Sequence, residues 1–237
     1  MDLAKDRADV GLFTNHYDEM QDFYGGQLGL RFLETAGIGK VQQHRYDLGG
    51  SWLKINTASK PLPARSPGGY QKLVIPTSKV TQPQTLTDPD GNTIEFVPAG
   101  YNGIDHVELQ LGVSDLGVFE RFHTEVLGSA RIGPARFRLG RSILSLSADP
   151  AAKPYVAPPR KEGAAPDLLR ATAALVGAGL RYFTVQVRDC AAEHDRVLAA
   201  GGNEGSPVMP GPAGGPTVAL FFIRDPDGNW IEVVQRK

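Results

Sequence analysis

The sequence predicts an α+β fold built from repeated βαβββ units, and three observations lead to this prediction. A nine-residue phrase occurs twice, as DPDGNTIEF at residues 88–96 and as DPDGNWIEV at residues 225–233. Residues 8–35 and 104–133 share a pattern of short strand, polar helix start, amphipathic helix and Leu-Gly. Residues 180–200 repeat the strand and the helix a third time. Repetition of this kind indicates one structural unit used several times along the chain.

Each copy of the phrase is typical of a tight turn followed by a strand. Pro89 and Pro226 fix φ near the value needed at the second turn position, and the Asp-Gly pairs that follow tolerate positive φ. Side chains alternate between the two faces of a strand, so Glu95 and Glu232 point away from the isoleucine that precedes each of them. These two carboxylates are the first candidates for chemistry. The alternative for either copy alone is an ordinary hairpin with a solvated Glu.

Helices and strands follow from the same periodicities. Apolar residues at helical spacing predict helices over residues 17–28 and about 116–127, each ended by a glycine suited to the C-terminal cap. A third helix is expected to begin after Asp189 as its N-cap and to end at Gly201. The other predicted strands lie at residues 43–48, 52–56, 72–76, 135–139, 142–147, 218–223 and 229–235.

The two halves of the chain differ in length. The offset between the first matching strands is 97 residues, but the offset between the two DPDGN turns is 137, so the second half is 40 residues longer. The segment before the first turn is too short for a helix and a strand, and its prolines oppose a helix. We therefore expect a shortened N-terminal domain, residues 1–100, and a complete C-terminal domain, residues 101–237. The Pro- and Ala-rich stretch 149–179 is expected to contain a helix at 167–177.

Composition excludes several classes of partner. The chain has 237 residues, a net charge of −1 and no basic run, which gives no electrostatic support for binding nucleic acid. No apolar run approaches the ~20 residues of a membrane span, and no signal peptide is evident. One cysteine excludes an internal disulfide. We therefore expect a cytoplasmic protein that is a monomer or a homodimer. No nucleotide cofactor is expected, because the Gly-rich stretch 210–216 lacks the Lys-Ser/Thr of a phosphate loop.

Together these motifs resemble the vicinal oxygen chelate superfamily, which includes glyoxalase I, bleomycin-resistance proteins and extradiol dioxygenases. The resemblance is carried by an HV-x-L strand opening, an FY or FH pair on the first helix, LG after it, and DPDGN-x-IE at the close. It implies two fused domains in which paired units form cup-shaped mixed sheets with the helices outside. It specifies no reaction, since the fold hosts lyases, epimerases, dioxygenases, thiol transferases and drug binders.

The resemblance also implies where metal ligands lie, namely on the first strand of each unit and on the last strand of a unit. In the second half His106 matches the first-strand position and Glu232 the last-strand position. This pair suits Zn, Ni, Mn, Co or Fe(II). Glu108, two residues after His106, is a candidate third ligand. The alternative for His106 is a buried, hydrogen-bonded histidine.

Other positions depart from the family's pattern. Tyr182 stands where a His or Gln is usual, and Ser145 or Ser147 stands where a carboxylate is expected. In the first half, Asp9 takes the first-strand position and Glu95 the last-strand position. A metal cup is therefore not expected in the first half, and Glu95 is expected to be structural.

Two functions stay open from the sequence. The first is a metal-dependent lyase or isomerase acting on a small oxygen-rich substrate, in which Glu232 or Glu108 moves a proton as general base. The second is a metal-free binding protein of the resistance type for a small aromatic or apolar ligand. An extradiol-type dioxygenase is disfavoured, because the stretch before the last turn lacks the expected His. The ligand-binding candidates are Tyr182, Gln186, Trp230 and Phe222, with Phe221 beside them.

Overall fold

A computed structural model describes residues 1–38, 41–63, 69–156, 177–211 and 217–237. Within these ranges the strands form two mixed sheets with few helices, which confirms the predicted α+β class. In spatial order, the first sheet contains β13 (Asn203–Glu204), β15 (Thr217–Arg224), β16 (Trp230–Arg236), β12 (Gly179–Gln186), β1 (Asp9–Thr14), β4 (Trp52–Thr57), β3 (Val41–Asp47) and β2 (Phe32–Ile38), with β14 (Met209–Pro210) paired to β15. The second sheet contains β6 (Gln84–Thr87), β7 (Thr93–Pro98), β5 (Gly69–Thr77), β8 (Glu108–Val113), β11 (Ser142–Ala148), β10 (Arg136–Leu139) and β9 (Ala130–Gly133).

Three helices in the described ranges lie where the sequence predicts them. Helix α1, Tyr17–Gln21, continues as the π-helical turn Asp22–Gln27, and α2, Leu116–Arg121, continues in the same way as Phe122–Val126. Helix α3 spans Cys190–Ala199 and begins after its predicted cap. The cap, Asp189, accepts hydrogen bonds from the backbone N–H groups of the second and third residues after it. A short 3₁₀ turn follows β7 at Tyr101–Gly103.

The strands fall into four consecutive units, here named A (β1–β4), B (β5–β7), C (β8–β11) and D (β12–β16). Unit B is the short one, and residues 78–83 between β5 and β6 contain no helix, as the prolines predict. The first sheet joins A to D, and the second joins B to C. The predicted domains 1–100 and 101–237 therefore do not correspond to the two sheets, because each sheet takes strands from both halves.

The central pairings set the geometry of both sheets. Strand β1 runs antiparallel to β12, with Asp9 opposite Thr184, and β8 runs antiparallel to β5, with Glu108 opposite Val74. In each unit the opening strand then pairs in parallel with the unit's closing strand. The four opening strands consequently lie at the middle of their sheets, two in each, where the side chains of two units meet.

One continuous hydrophobic core lies between the sheets and the helices. The buried aliphatic residues Val10, Leu12, Leu109 and Leu111 of the opening strands belong to the same cluster as helix residues such as Phe119. Alternation leaves the other face of each sheet free of this core, and we name it the inner face. Candidate site residues on the strands therefore belong to two separate inner faces.

The two DPDGN turns are built in the same way. A carboxylate oxygen of Asp88 accepts from the N–H groups of Asp90 and Asn92, and Asp225 does the same for Asp227 and Asn229. The glycine of each turn has positive φ, as expected. Burial raises the pKa of Asp225 to about 7. The repeated aspartate is thus the anchor of the turn.

Two expected features lie outside the described residues, namely the helix at 167–177, apart from Gly177, and most of the Gly-rich stretch 210–216. Among the described helices, none has the length and apolar character that crossing a membrane requires.

Candidate functional site

The inner face of the first sheet carries a cluster of four side chains, one from each central strand. They are Asp9 on β1, Lys54 on β4, Thr184 on β12 and Glu232 on β16. The ammonium nitrogen of Lys54 lies 2.7 Å from Thr184 Oγ1, 2.8 Å from Glu232 Oε2 and 3.7 Å from Asp9 Oδ2. The Thr184 hydroxyl also donates to Glu232 Oε2 at 2.5 Å. Glu232, the predicted metal ligand and base, is therefore bonded to a lysine.

Further cations surround Asp9, whose side chain is fully buried. Lys5 Nζ lies 2.9 Å from one carboxylate oxygen and Arg236 Nη2 lies 3.3 Å from the other. Burial alone would raise the pKa of Asp9, but the charges of Lys54, Lys5 and Arg236 lower it below its ordinary value. Arg236 also stacks on the ring of Trp52, 4.0 Å from its centroid.

Three of the four predicted ligand-binding residues lie beside this cluster. Tyr182, Phe222 and Trp230 form one buried group with Phe13 and have exposed fractions of 4%, 6% and 2%. The Tyr182 ring lies across Gly11, where a side chain would overlap it, and its hydroxyl accepts a hydrogen bond from Asn56. The aromatic side chains thus fill this part of the inner face with one another.

The other two candidates in this region differ in their surroundings. Gln186, two residues after Thr184 on the same strand, is 9% exposed. Phe221 lies in the main core on the opposite face, with its ring edge-on to His194. Phe221 is therefore outside the inner face, which corrects its assignment as a stacking residue.

The inner face of the second sheet contains a cavity of about 520 Å³. Its apolar wall is formed by Val74, Val97 and Ile104, which are buried together. Its polar wall and rim are formed by Glu95, Tyr101, Asn102, Glu108, Gln110, Arg136 and Ser145. A concave cavity that combines apolar side chains with converging polar groups is the usual form of a small-molecule site.

Both carboxylates of this cavity have partners. Glu108 accepts from Arg136 Nη2 at 2.5 Å and from the Ser145 hydroxyl at 2.6 Å. Arg136 is held in place by a second bond, from Nη1 to the carbonyl oxygen of Asn102. Glu95 lies 3.2 Å from Lys72 Nζ. Glu95 was expected to have a structural role, yet it lines the same cavity as Glu108.

His106 lies outside both inner faces. Its Nε2 is 2.8 Å from Ser51 Oγ, and its Nδ1 is 3.0 Å from Ser142 Oγ. Burial, reinforced by nearby positive charges, lowers the pKa of His106 to about 4. Because His106 precedes β8 of the second sheet and Glu232 belongs to the first, the predicted His106–Glu232 ligand pair is not brought together. The buried, hydrogen-bonded alternative for His106 is the arrangement that the structure contains.

The donor sets fit a divalent metal poorly on both inner faces. The described residues contain no group of three or more His, Cys, Asp or Glu side chains placed to hold an ion. On the first face an ammonium group already lies among the oxygens. On the second face Val74 offers no ligand atom, and Glu108 is engaged by a guanidinium group. Protein metal sites of the expected kind present three or more ligands.

Comparison with known proteins identifies the family. Residues 103–233 match the model of the Glyoxalase/Bleomycin resistance protein/Dioxygenase superfamily, so the chain belongs to that superfamily. This is the family that the sequence motifs predict.

Individual relatives are more distant. A probable lactoylglutathione lyase from Vibrio parahaemolyticus is 37% identical over 62 residues, which cover 26% of this chain and 44% of that protein. The chain thus aligns with less than half of this curated relative. Glyoxalase I from Zea mays has a TM-score of 0.67 at 15% identity, with 96% of this chain and 91% of that chain covered. A Bacillus subtilis protein provisionally assigned as a dioxygenase has a TM-score of 0.64 at 14% identity, covering 100% and 85%. These structural likenesses establish the fold.

Sequence reasoning missed two residues that organise the inner faces. Lys54 lies in the strand WLKINT, where alternation places its side chain on the face away from the buried side chains of Leu53 and Ile55. A lysine at the ligand position of a closing strand could have been recognised from the sequence as a candidate site residue. Arg136 gave no comparable signal, because its importance depends on β10 lying near β8 in the folded sheet.

Proposed function

We propose that this protein binds a small, oxygen-bearing organic molecule in the cavity of the second sheet without the help of a divalent metal. The observation that supports this proposal is the cavity of about 520 Å³, whose lining combines an apolar wall with two carboxylates and one guanidinium group. Its volume lies in the range of small-molecule sites. The chain thereby resembles the binding members of its superfamily more than the metal-dependent ones.

The polar groups define the chemistry of the ligand. Glu95 and Glu108 accept hydrogen bonds, so they favour a hydroxyl, amide or ammonium group. Arg136 makes two bonds to protein oxygens from its five N–H donors, and its charge favours a carbonyl or carboxylate oxygen. Val74, Val97 and Ile104 favour a short hydrocarbon part. A hydroxy acid or a polar ketone satisfies all three requirements.

A thermal-shift screen tests the proposal. The probes are a panel of small hydroxy acids, keto acids, catechols and S-lactoylglutathione, each added without metal and in the presence of a chelator. A ligand at 100 times its Kd stabilises the folded state by about 2.7 kcal/mol. The shift should disappear in Arg136→Ala and persist in Arg31→Ala, whose exposed ion pair with Asp47 lies away from the cavity. A shift that Arg136→Ala leaves unchanged would place the ligand elsewhere.

A metal-dependent lyase or isomerase is the second candidate. It is favoured by the short match to a probable lactoylglutathione lyase and by the two carboxylates that share one cavity. In this reading Glu108 or Glu95 would move a proton at the substrate. Turnover of S-lactoylglutathione that requires added Zn²⁺ or Ni²⁺, and that Glu108→Gln abolishes, would establish it. Turnover unaffected by Glu108→Gln would reject this cavity as its site.

A further inference from the structure

Strand register places four side chains at one point of each inner face. In the first sheet, Thr184 of β12 is opposite both Asp9 of β1 and Glu232 of β16. Lys54 of β4 is opposite Gly11, two residues beyond Asp9, so it lies beside the same point. Each position is a first-strand or last-strand position of its unit, which is where the family's fold implies metal ligands.

The same register identifies the equivalent positions of the second sheet. Val74 is opposite both Glu108 and Glu95, and Ser145 is opposite Gln110, two residues beyond Glu108. Glu108 thus corresponds to Asp9, Val74 to Thr184, and Glu95 to Glu232, while Ser145 corresponds to Lys54. His106 and Tyr182, which the sequence motifs assigned to first-strand ligand positions, therefore each lie two residues before the position that the strand register defines. The lysine is therefore particular to the first sheet.

The ammonium group of Lys54 occupies the centre of its cluster. Its nitrogen contacts oxygens from β12 and β16 within 2.8 Å and forms a longer pair with the carboxylate of β1. Only 3% of Lys54 is exposed, so the charge has little water to compensate it and depends on these oxygens. An ammonium group held among oxygens from three strands is the electrostatic arrangement that a bound metal ion would otherwise create, although Lys5 and Arg236 contact the Asp9 carboxylate as well.

We propose that Lys54 is a built-in cation, and that its ammonium group holds the place of the divalent metal on the inner face of the first sheet. A metal ion and the ammonium group cannot share this position, because like charges at such short distance repel strongly. Binding a metal would require Lys54 to leave its three oxygen partners, of which those on Asp9 and Thr184 are buried. This inference concerns the first sheet and is independent of the cavity proposed for ligand binding.

The second sheet provides an internal contrast. There the corresponding carboxylate, Glu108, is neutralised from β10 by Arg136, and the serine at the lysine position only donates a hydrogen bond. Cationic side chains thus accompany both inner faces, but only in the first sheet does one of them occupy a position where the family's fold implies a metal ligand. Substitution of that one residue by a metal-ligating side chain should therefore convert the first face into a metal site.

Cobalt titration of the purified protein tests the inference. Co²⁺ reports inner-sphere ligation through its visible absorption, and metal content is measured after gel filtration. Wild-type protein should retain no Co²⁺ that depends on Glu232. Lys54→His, which exchanges the ammonium for a ligating imidazole beside Asp9 and Glu232, should bind about one equivalent. Lys54→Met, which removes the charge without adding a ligand, should bind none.

Further variants assign the gained metal. Lys54→His combined with Glu232→Gln should lose the cobalt spectrum, whereas the same lysine variant combined with Glu95→Gln should keep it. A folded Lys54→His that binds no cobalt would overturn the inference. If Lys54→His does not fold, the wild-type titration decides alone. One equivalent of Co²⁺ in wild type that Glu232→Gln removes would show that the lysine does not exclude the metal, and its absence supports the inference.

Discussion

His106 Nε2 lies 2.8 Å from the hydroxyl oxygen of Ser51, and this contact joins unit C to unit A. The other ring nitrogen lies 3.0 Å from Ser142, whose hydroxyl oxygen accepts a hydrogen bond from the backbone N–H of Ala8. The imidazole therefore connects segments that belong to different sheets. A histidine whose sequence context is typical of a metal ligand serves here as a polar link between the two halves of the core.

The first prediction concerns this link. His106→Phe keeps a ring of similar size but loses both hydrogen bonds, which leaves the Ser51 hydroxyl without its imidazole partner. Unfolding in urea should show a loss of about 1–3 kcal/mol, the cost of leaving a buried polar group unsatisfied. Metal content after reconstitution should not change between wild type and variant. A loss of bound metal in the variant would instead support the ligand role expected from sequence.

The second prediction is a dependence of stability on pH. The ordinary histidine pKa is 6.5, and burial lowers it to about 4 for His106 and about 3 for His123. Between 6.5 and these values the unfolded chain binds protons that the folded chain does not, so the free energy of unfolding falls as pH falls. Each histidine contributes about 1.4 kcal/mol per pH unit in that window.

Comparison of variants isolates the histidine contribution to this slope. Asp225, whose pKa burial raises to about 7, acts in the opposite sense because the folded chain takes up its proton first. The wild-type slope therefore combines both effects. Urea unfolding between about pH 7 and pH 4.5 should give a slope that is less positive in His106→Phe than in wild type. Equal slopes would contradict the lowered histidine pKa.

The third prediction is that His123→Phe stabilises the protein. His123 is 2% exposed and stacks on Phe137, with ring centroids 4.9 Å apart. Neither ring nitrogen has a hydrogen-bond partner among the described residues. An apolar ring of similar shape should remove a desolvation cost of about 1–3 kcal/mol and raise Tm accordingly. His123→Ala is the control and should destabilise, because it leaves a cavity in the core.

The fourth prediction concerns the ion pair in the second inner face. Glu108 is buried, whereas the side chain of Arg136 is 25% exposed, so solvent weakens their interaction only in part. A double-mutant cycle of Glu108→Gln and Arg136→Met should give a coupling energy of about 1–3 kcal/mol. The same cycle on the exposed pair Arg31 and Asp47 should give less than about 1 kcal/mol. Equal couplings would mean that the cavity pair is as solvated as the surface pair.

Features that depend on residues close together in the sequence were predicted correctly, whereas features that depend on residues far apart were not. Helix α3 and its cap were predictable, because capping and helical periodicity act over a few residues. So was the direction of Glu95 and Glu232, which point to the face of their strands that lies away from the neighbouring isoleucines, because alternation is local. The pairing of Asp9 with Thr184 was not predictable, since it joins residues far apart in sequence and local patterns do not encode it.

The candidate site shows the consequence of that difference. The two glutamates of the repeated phrase are located correctly on their strands, but their neighbours across each sheet are not those expected. Glu232 meets Lys54 and Thr184 instead of His106, and Glu95 shares a cavity with Glu108. Residue types and faces were available from the sequence. The pairing of unit A with D, and of unit B with C, decides which of these side chains come together on one inner face.

This nested order has a consequence for synthesis on the ribosome. Units B and C are adjacent in the chain, so the second sheet can assemble as soon as residues 69–148 have emerged. Unit A must wait for unit D, because β1 pairs with β12, which is synthesised much later, and such non-local pairings form slowly. Until then the edge of β1 is open to wrong partners. The nascent chain is therefore most exposed to misassembly in its earliest strands, which are also the last to be completed.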